Sequence, residues 1–294
     1  MSSSSALMIA CFLAIAHANQ LFHRPEYAAN IHNYEDLVAY LATIENGQSF
    51  ASFAGDKGVG TFGGSEDHTA ILTCQPRHLR QYSYCPVRFE QTIPLPTAYT
   101  FAIAASGVSA EKTGPEMDPY NRASLLARAA VDQWNAATGR SDPHLAAAIQ
   151  SDPAAPDRLR AILRDTPDLL RRFEQFHAES NEIIPAAADA LLRNDIPSLS
   201  PLVDRSQHLA QTLLSNQTPE TIHLARSARR LGSPAASAFG AGFGGSVWAL
   251  IQTQSAPHFL AAWQADYHAT FPTRRDASTF FLTRPGPAAA RLFA

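Results

Sequence analysis

Apolar residues recur along this 294-residue chain with two different periods, and the change of period divides it into stretches of different structure. From Leu7 to Ala18 nearly every position is apolar, which predicts a buried or amphipathic helix opening at the serine run Ser2–Ser5. The spacing of Leu37, Val38 and Leu41 predicts a second helix over 34–43. Strand-like alternation follows at 70–74, 82–94 and 99–105. Residues 117–230 are mostly of helical period, broken at Asp142-Pro143, Asp152-Pro153, Ile196-Pro197 and Thr218-Pro219. The segments 245–253, 257–267 and 279–283 predict strand, helix and strand, with Pro257 suited to a first helical turn. Together these elements predict an α+β chain whose late strands sit beside a helical insertion. The stiff run Thr92-Ile-Pro-Leu-Pro-Thr97 places a domain boundary near residue 97, giving 1–97 and 98–294, with the last dozen residues returning to the first half.

Between the helical stretch and the late strand lies Phe239-Gly-Ala-Gly-Phe-Gly-Gly-Ser246. Gly240, Gly242, Gly244 and Gly245 permit positive φ and let backbone amides approach a ligand, as a phosphate cradle requires; a tight turn before a buried strand is the plainer alternative. Ser2, Ser3, Ser4 and Ser5 offer a second anion site, because first-turn amides lack intrahelical acceptors and the helix dipole adds positive charge there.

The serine run before a helix and the glycine loop before a late strand resemble the second and third motifs of the GHMP sugar and isoprenoid kinases, most closely the galactokinase branch. The segment Gly60-Thr-Phe-Gly-Gly-Ser-Glu-Asp67-His68 is similar to the one carrying the catalytic aspartate there, although Glu66 and His68 stand where relatives usually carry Met and Gln. Tyr120-Asn-Arg122 resembles the family's Tyr/Arg segment. A Gly-Arg-x-Asn-Leu-Ile-Gly-Glu-His-x-Asp-Tyr segment, which in galactokinases supplies most sugar contacts and a catalytic arginine, has no counterpart in the 294 residues. The chain is therefore expected to start inside the phosphate-binding motif, with Met1 an internal methionine and the amino-terminal domain incomplete.

The resemblance implies a two-domain GHMP kinase architecture with a ferredoxin-like carboxyl-terminal domain, and transfer of the γ-phosphoryl of ATP, with Mg²⁺, to the anomeric hydroxyl of galactose or a related sugar. It implies Ser2–Ser5 and the four loop glycines at the phosphates, Ser5 and Glu45 on the metal, Asp67 as the catalytic base, and Gly63, Gly64 and Tyr120 at the sugar. Each has a structural alternative: Asp67 as a turn cap, Tyr120 as a core residue, Glu45 as a solvated helix end.

Composition adds exclusions. With 46% hydrophobic and 17% charged residues and a net charge of −3, the chain can bury a core and carries no basic run that would suggest a nucleic-acid partner. Three cysteines without a Cys-x-x-Cys pair fit a reducing, cytoplasmic setting. Eleven histidines show no ligand spacing, so Mg²⁺ arriving with ATP is the expected metal. The apolar stretch to Ala16-His-Ala18 mimics a secretory leader, but it lacks a basic start, and no apolar run reaches the ~20 residues that span a bilayer. Two non-enzymatic readings stay open: a galactokinase-like sensor or inactive remnant that binds nucleotide and sugar, and a secreted helical binding protein.

Overall fold

The computed structural model describes residues 3–58, 62–109 and 117–290, with backbone alone at 117–120. It divides into two compact units, one built chiefly from Met1–Leu95 with Arg284–Ala294, the other from Pro96–Glu111 and Asp118–Thr283.

The first unit holds α1 (Ser3–Ala18), α2 (Pro25–Ala28), α3 (Tyr34–Asn46), α4 (Glu66–Thr73) and the antiparallel hairpin β1 (His78–Ser83)–β2 (Arg88–Pro94). Its core joins Ile9 of α1 to Ile31, Leu37, Val38, Leu41 and Leu72. Helix α3 starts where Asn33 Oδ1 accepts the Asp36 amide at 2.8 Å, with Glu35 and Asp36 against the positive end of the dipole. It stops at Gly47, whose φ of +72° and a carbonyl 2.4 Å from where a Cβ would lie leave room for glycine alone.

Residues 70–74, expected as a strand, instead lie largely in α4, which runs to Thr73. Its buried residues, His68, Thr69, Leu72 and Thr73, recur at helical spacing. The hydroxyls of Thr69 and Thr73 donate to the carbonyls of Ser65 and Thr69, each at 2.7 Å, so these β-branched residues are accommodated within the helix. Arg80 of β1 donates to the Thr73 carbonyl at 2.9 Å and stacks on Phe89, which fixes the hairpin at the negative end of α4. The expected strand 82–94 is resolved into the two arms of this hairpin. The chain's end adds further ties within the unit, Arg77 donating to the Pro285 carbonyl and Ala289 to that of Ile71.

The second unit is built on a four-stranded antiparallel sheet of order β4 (Ala235–Phe239), β5 (Ser246–Gln252), β3 (Tyr99–Ala105), β6 (Thr279–Thr283). Helices α11 (Pro219–Arg230) and α12 (Ala256–Thr270) cover one face. The sheet presents small residues there, Ala102, Ala104, Ala236 and Ala249, and the helices supply Phe259, Trp263 and Tyr267 to fill the space. Trp263 is fully buried and its Nε1 donates to the Leu224 carbonyl and Ser227 Oγ, both at 3.1 Å. Strand β4 was not expected: its Ala-rich sequence carries little strand propensity, and it exists because β5 and α10 (Ile196–Leu209) bond its two edges. A separate helical core around Trp134, Leu159, Leu163 and Phe173 joins α5 (Met117–Thr138) to α6 (Leu145–Gln150), α7 (Ala155–Leu163) and α8 (Pro167–His177), and α9 (Ile184–Leu192) precedes α10. Among the described residues no helix is long and apolar enough to cross a membrane.

Candidate functional site

Three helix ends meet in the first unit. Ser3, Ser4 and Ser5 lie in the first described turn of α1, Glu45 in the last turn of α3, and Asp67 and His68 in the first turn of α4. The Ser4 hydroxyl donates to Glu45 Oε1 at 3.0 Å and that of Ser5 to Oε2 at 3.3 Å. His68 Nε2 lies 3.2 Å from the same Oε2. His68 is 2% exposed and Glu45 14%, so the carboxylate is held on three sides in a largely dry position. Asn46 donates to the Gly63 carbonyl at 2.6 Å and draws the loop before α4 against the end of α3.

This arrangement brings together Ser4, Ser5 and Glu45, which lie forty residues apart in sequence. It also places Asp67 beside His68 in the same helical turn, half-buried, where a carboxylate favours the helix dipole whatever else it does. Glycine 64 needs no glycine for space, since nothing lies within 4 Å of a Cβ built there. Tyr84 lies in the hairpin turn near Thr69, Glu66 and Asp67; burial, with the two carboxylates adding to it, pushes its phenol up to about 12, so it stays protonated. Ser2 and the side chain of Tyr120 fall outside the described residues.

The glycine loop belongs to the second unit. Gly240, Gly242, Gly244 and Gly245 all have positive φ, and so does Phe243. At Gly242 a Cβ would lie 2.1 Å from the Asn216 carbonyl oxygen, and at Gly244 one would lie 2.8 Å from that of Val108. Those carbonyls accept the Phe243 amide at 2.6 Å and the Gly245 amide at 3.0 Å. Two of the loop's amides are thus committed to bracing it, and its glycines are required by that packing before any ligand is considered.

Sequence reasoning missed His68 as a partner of Glu45, Asn46 as the tether of the Gly63 loop, and Tyr84 near Asp67. His68 and Asn46 adjoin residues singled out by motif, which is the only signal they carry. Tyr84 sits in a turn with none.

Residues 187–269 match the family described as GHMP kinases C terminal. The chain superposes on a Lactococcus lactis galactokinase complexed with galactose with a TM-score of 0.76 at 18% identity, over 99% of this chain and 67% of that one. The fold is that of a GHMP kinase. A mevalonate kinase from L. major, in complex with R-mevalonate, matches with a TM-score of 0.51 at 14% identity, over 98% of this chain and 66% of that one. The chain therefore spans about two thirds of the length of either relative. No curated protein sequence matches it. The GHMP kinase family match covers α11, β4, the glycine loop, β5 and most of α12, so the loop read from sequence as the third motif lies inside it.

Proposed function

We propose that the chain is part of a galactokinase-like sugar 1-kinase, acting in the cytoplasm on Mg-ATP and the anomeric hydroxyl of galactose or a related sugar. The observation that carries the reading is the convergence of the Ser4 and Ser5 hydroxyls on Glu45 at the start of α1. A helix start favours a phosphate, but here a carboxylate already stands beside it. Two unit charges 4 Å apart repel by roughly 4 kcal/mol at an effective dielectric constant of 20, so phosphate and Glu45 need a cation between them. The donor set, one carboxylate with serine hydroxyls, suits Mg²⁺ rather than a softer metal. Bound there, the ion would neutralise phosphate charge; the rest of the work belongs to the chain's own groups. The first-turn amides and Ser3–Ser5 would orient the phosphates, Ser5 and Glu45 would hold the metal, and His68 would keep the Glu45 carboxylate aimed. Asp67 would accept the sugar hydroxyl's proton, with Gly63, Gly64 and Tyr120 along the sugar and Gly240–Gly245 bracing the phosphate side. Burial pushes the Cys74 thiol up, away from nucleophilic use.

The test is ADP release with Mg-ATP and a panel of free reducing sugars. The reading expects turnover that Asp67→Ala abolishes while nucleotide binding is retained. Nucleotide binding with no ADP release from the parent chain would favour a sensor or remnant instead, and turnover on an alcohol such as mevalonate or homoserine would overturn the sugar assignment.

A further inference from the structure

The edge strand β4 is bonded by α10, and the way it is bonded leaves a donor over. Gln207 Oε1 accepts the Ala238 amide at 2.8 Å and the Ser237 hydroxyl at 2.9 Å. Because the Ala238 amide can only donate, the oxygen must face the strand, and Nε2 faces away from it. Gln207 is 5% exposed, and its Nε2 is buried with no hydrogen-bond partner among the described residues. Such an amide normally has an acceptor.

Gln207 lines a groove of about 310 Å³ between α10 and α11, together with Asp204, His208, Arg226, Arg229 and Ala236. Arg229 is already engaged, bidentate to Asp204 at 2.8 and 3.0 Å and also donating to the Ser233 carbonyl. Arg226, one turn earlier on α11, is exposed and forms no ion pair or hydrogen bond among the described residues. The groove thus has one excess positive charge and two sets of unspent donors, with its one carboxylate consumed. A cation finds nothing to bind there; an oxyanion finds the exposed Arg226 guanidinium, with the Gln207 side chain, which also lines the groove, buried behind it.

We propose that this groove is a binding site for a small metabolite bearing an oxyanion, phosphate monoester or carboxylate. The site lies wholly within the second unit and does not depend on the kinase reading. It is tested by titrating the ¹⁵N-labelled full chain with inorganic phosphate, and separately with acetate, at constant ionic strength. Saturable shifts in the Gln207 side-chain NH₂ and the Ala236–Ala238 amides are expected, with millimolar affinity. Arg226→Glu should weaken binding at least tenfold. Gln207→Glu, which keeps the acceptor for Ala238 and removes the donor, should do the same where it folds. Arg193→Glu, an identical charge change at an exposed helix end, should leave binding unchanged. Tighter phosphate binding identifies a phosphate ester as the ligand class, and tighter acetate binding a carboxylate. Shifts that never saturate, or that Arg193→Glu and Arg226→Glu diminish alike, would overturn the site.

Discussion

The two units differ in how completely they bury their apolar residues. Eight large hydrophobic residues stand exposed among the described residues of the first unit, Leu7 and Ile15 of α1 among them, against four in the much longer second unit. The second unit instead contains Trp134, Phe173, Trp263 and Tyr267 as its largest buried side chains, whereas the first relies on Ile9, Val38, Leu41 and His68. The residues proposed to handle phosphate and metal therefore sit on the thinner core. Their positions depend less on packing than on directed contacts, Asn46 to Gly63, Arg80 to Thr73 and His68 to Glu45. Regions with few buried contacts open locally at lower cost, so amide exchange should be faster across α1 and α4 than across β5 and α12.

Substitutions can sharpen or break this contrast. Trp263→Ala should cost the second unit about 3–5 kcal/mol in urea denaturation, because it removes a fully buried ring and leaves Ser227 and the Leu224 carbonyl without its Nε1. Ile9→Ala in the first unit should cost about 2–4 kcal/mol, with the loss confined to probes in that unit. A smaller effect is expected at the glycine loop. Gly242→Ala forces a Cβ against the Asn216 carbonyl at positive φ, and strain of about 1–3 kcal/mol should appear in the same assay. Gly64→Ala meets nothing and should stay within about 0.5 kcal/mol of the parent.

The same contrast decides what could be read from sequence. A continuous apolar run located α1, and the spacing of apolar residues located α3, β3, β5 and α12. It failed at residues 70–74, Ala-Ile-Leu-Thr-Cys, a short apolar run that imitates a strand although the hydroxyls of Thr69 and Thr73 bond back to their own helix. It failed at Ala235–Phe239 because alanine carries no strand signal and the strand depends on Gln207, thirty residues away. At the candidate site, Ser4, Ser5 and Asp67 were singled out through their motifs, and Glu45 only as what the resemblance implies. The contact of His68 with Glu45 was not, since it bridges a long loop and depends on where α3 ends.

A further effect is expected in pH dependence. Burial raises the Tyr84 and Tyr267 phenols to about 12 in the folded chain against an ordinary value of 10. Their contribution to stability is present in full below pH 10 and is lost as pH rises through the folded value, because the unfolded chain gives up these protons first. Absorbance titration should show two phenols ionising late, and denaturation midpoints should fall between about pH 10 and 12. Tyr267→Phe and Tyr84→Phe, each removing one late phenol, assign the contribution to its unit.

The account rests most on Glu45 as the cation-holding carboxylate at the start of α1. The direct measurement is Mn²⁺-dependent binding of ADP to the full chain, followed by electron paramagnetic resonance of the free ion, in the parent and in Glu45→Gln. A ternary complex is expected whose metal affinity falls at least tenfold in Glu45→Gln, while Arg193→Glu has no effect. Equal metal affinity in the parent and Glu45→Gln, with the nucleotide bound in both, would contradict it.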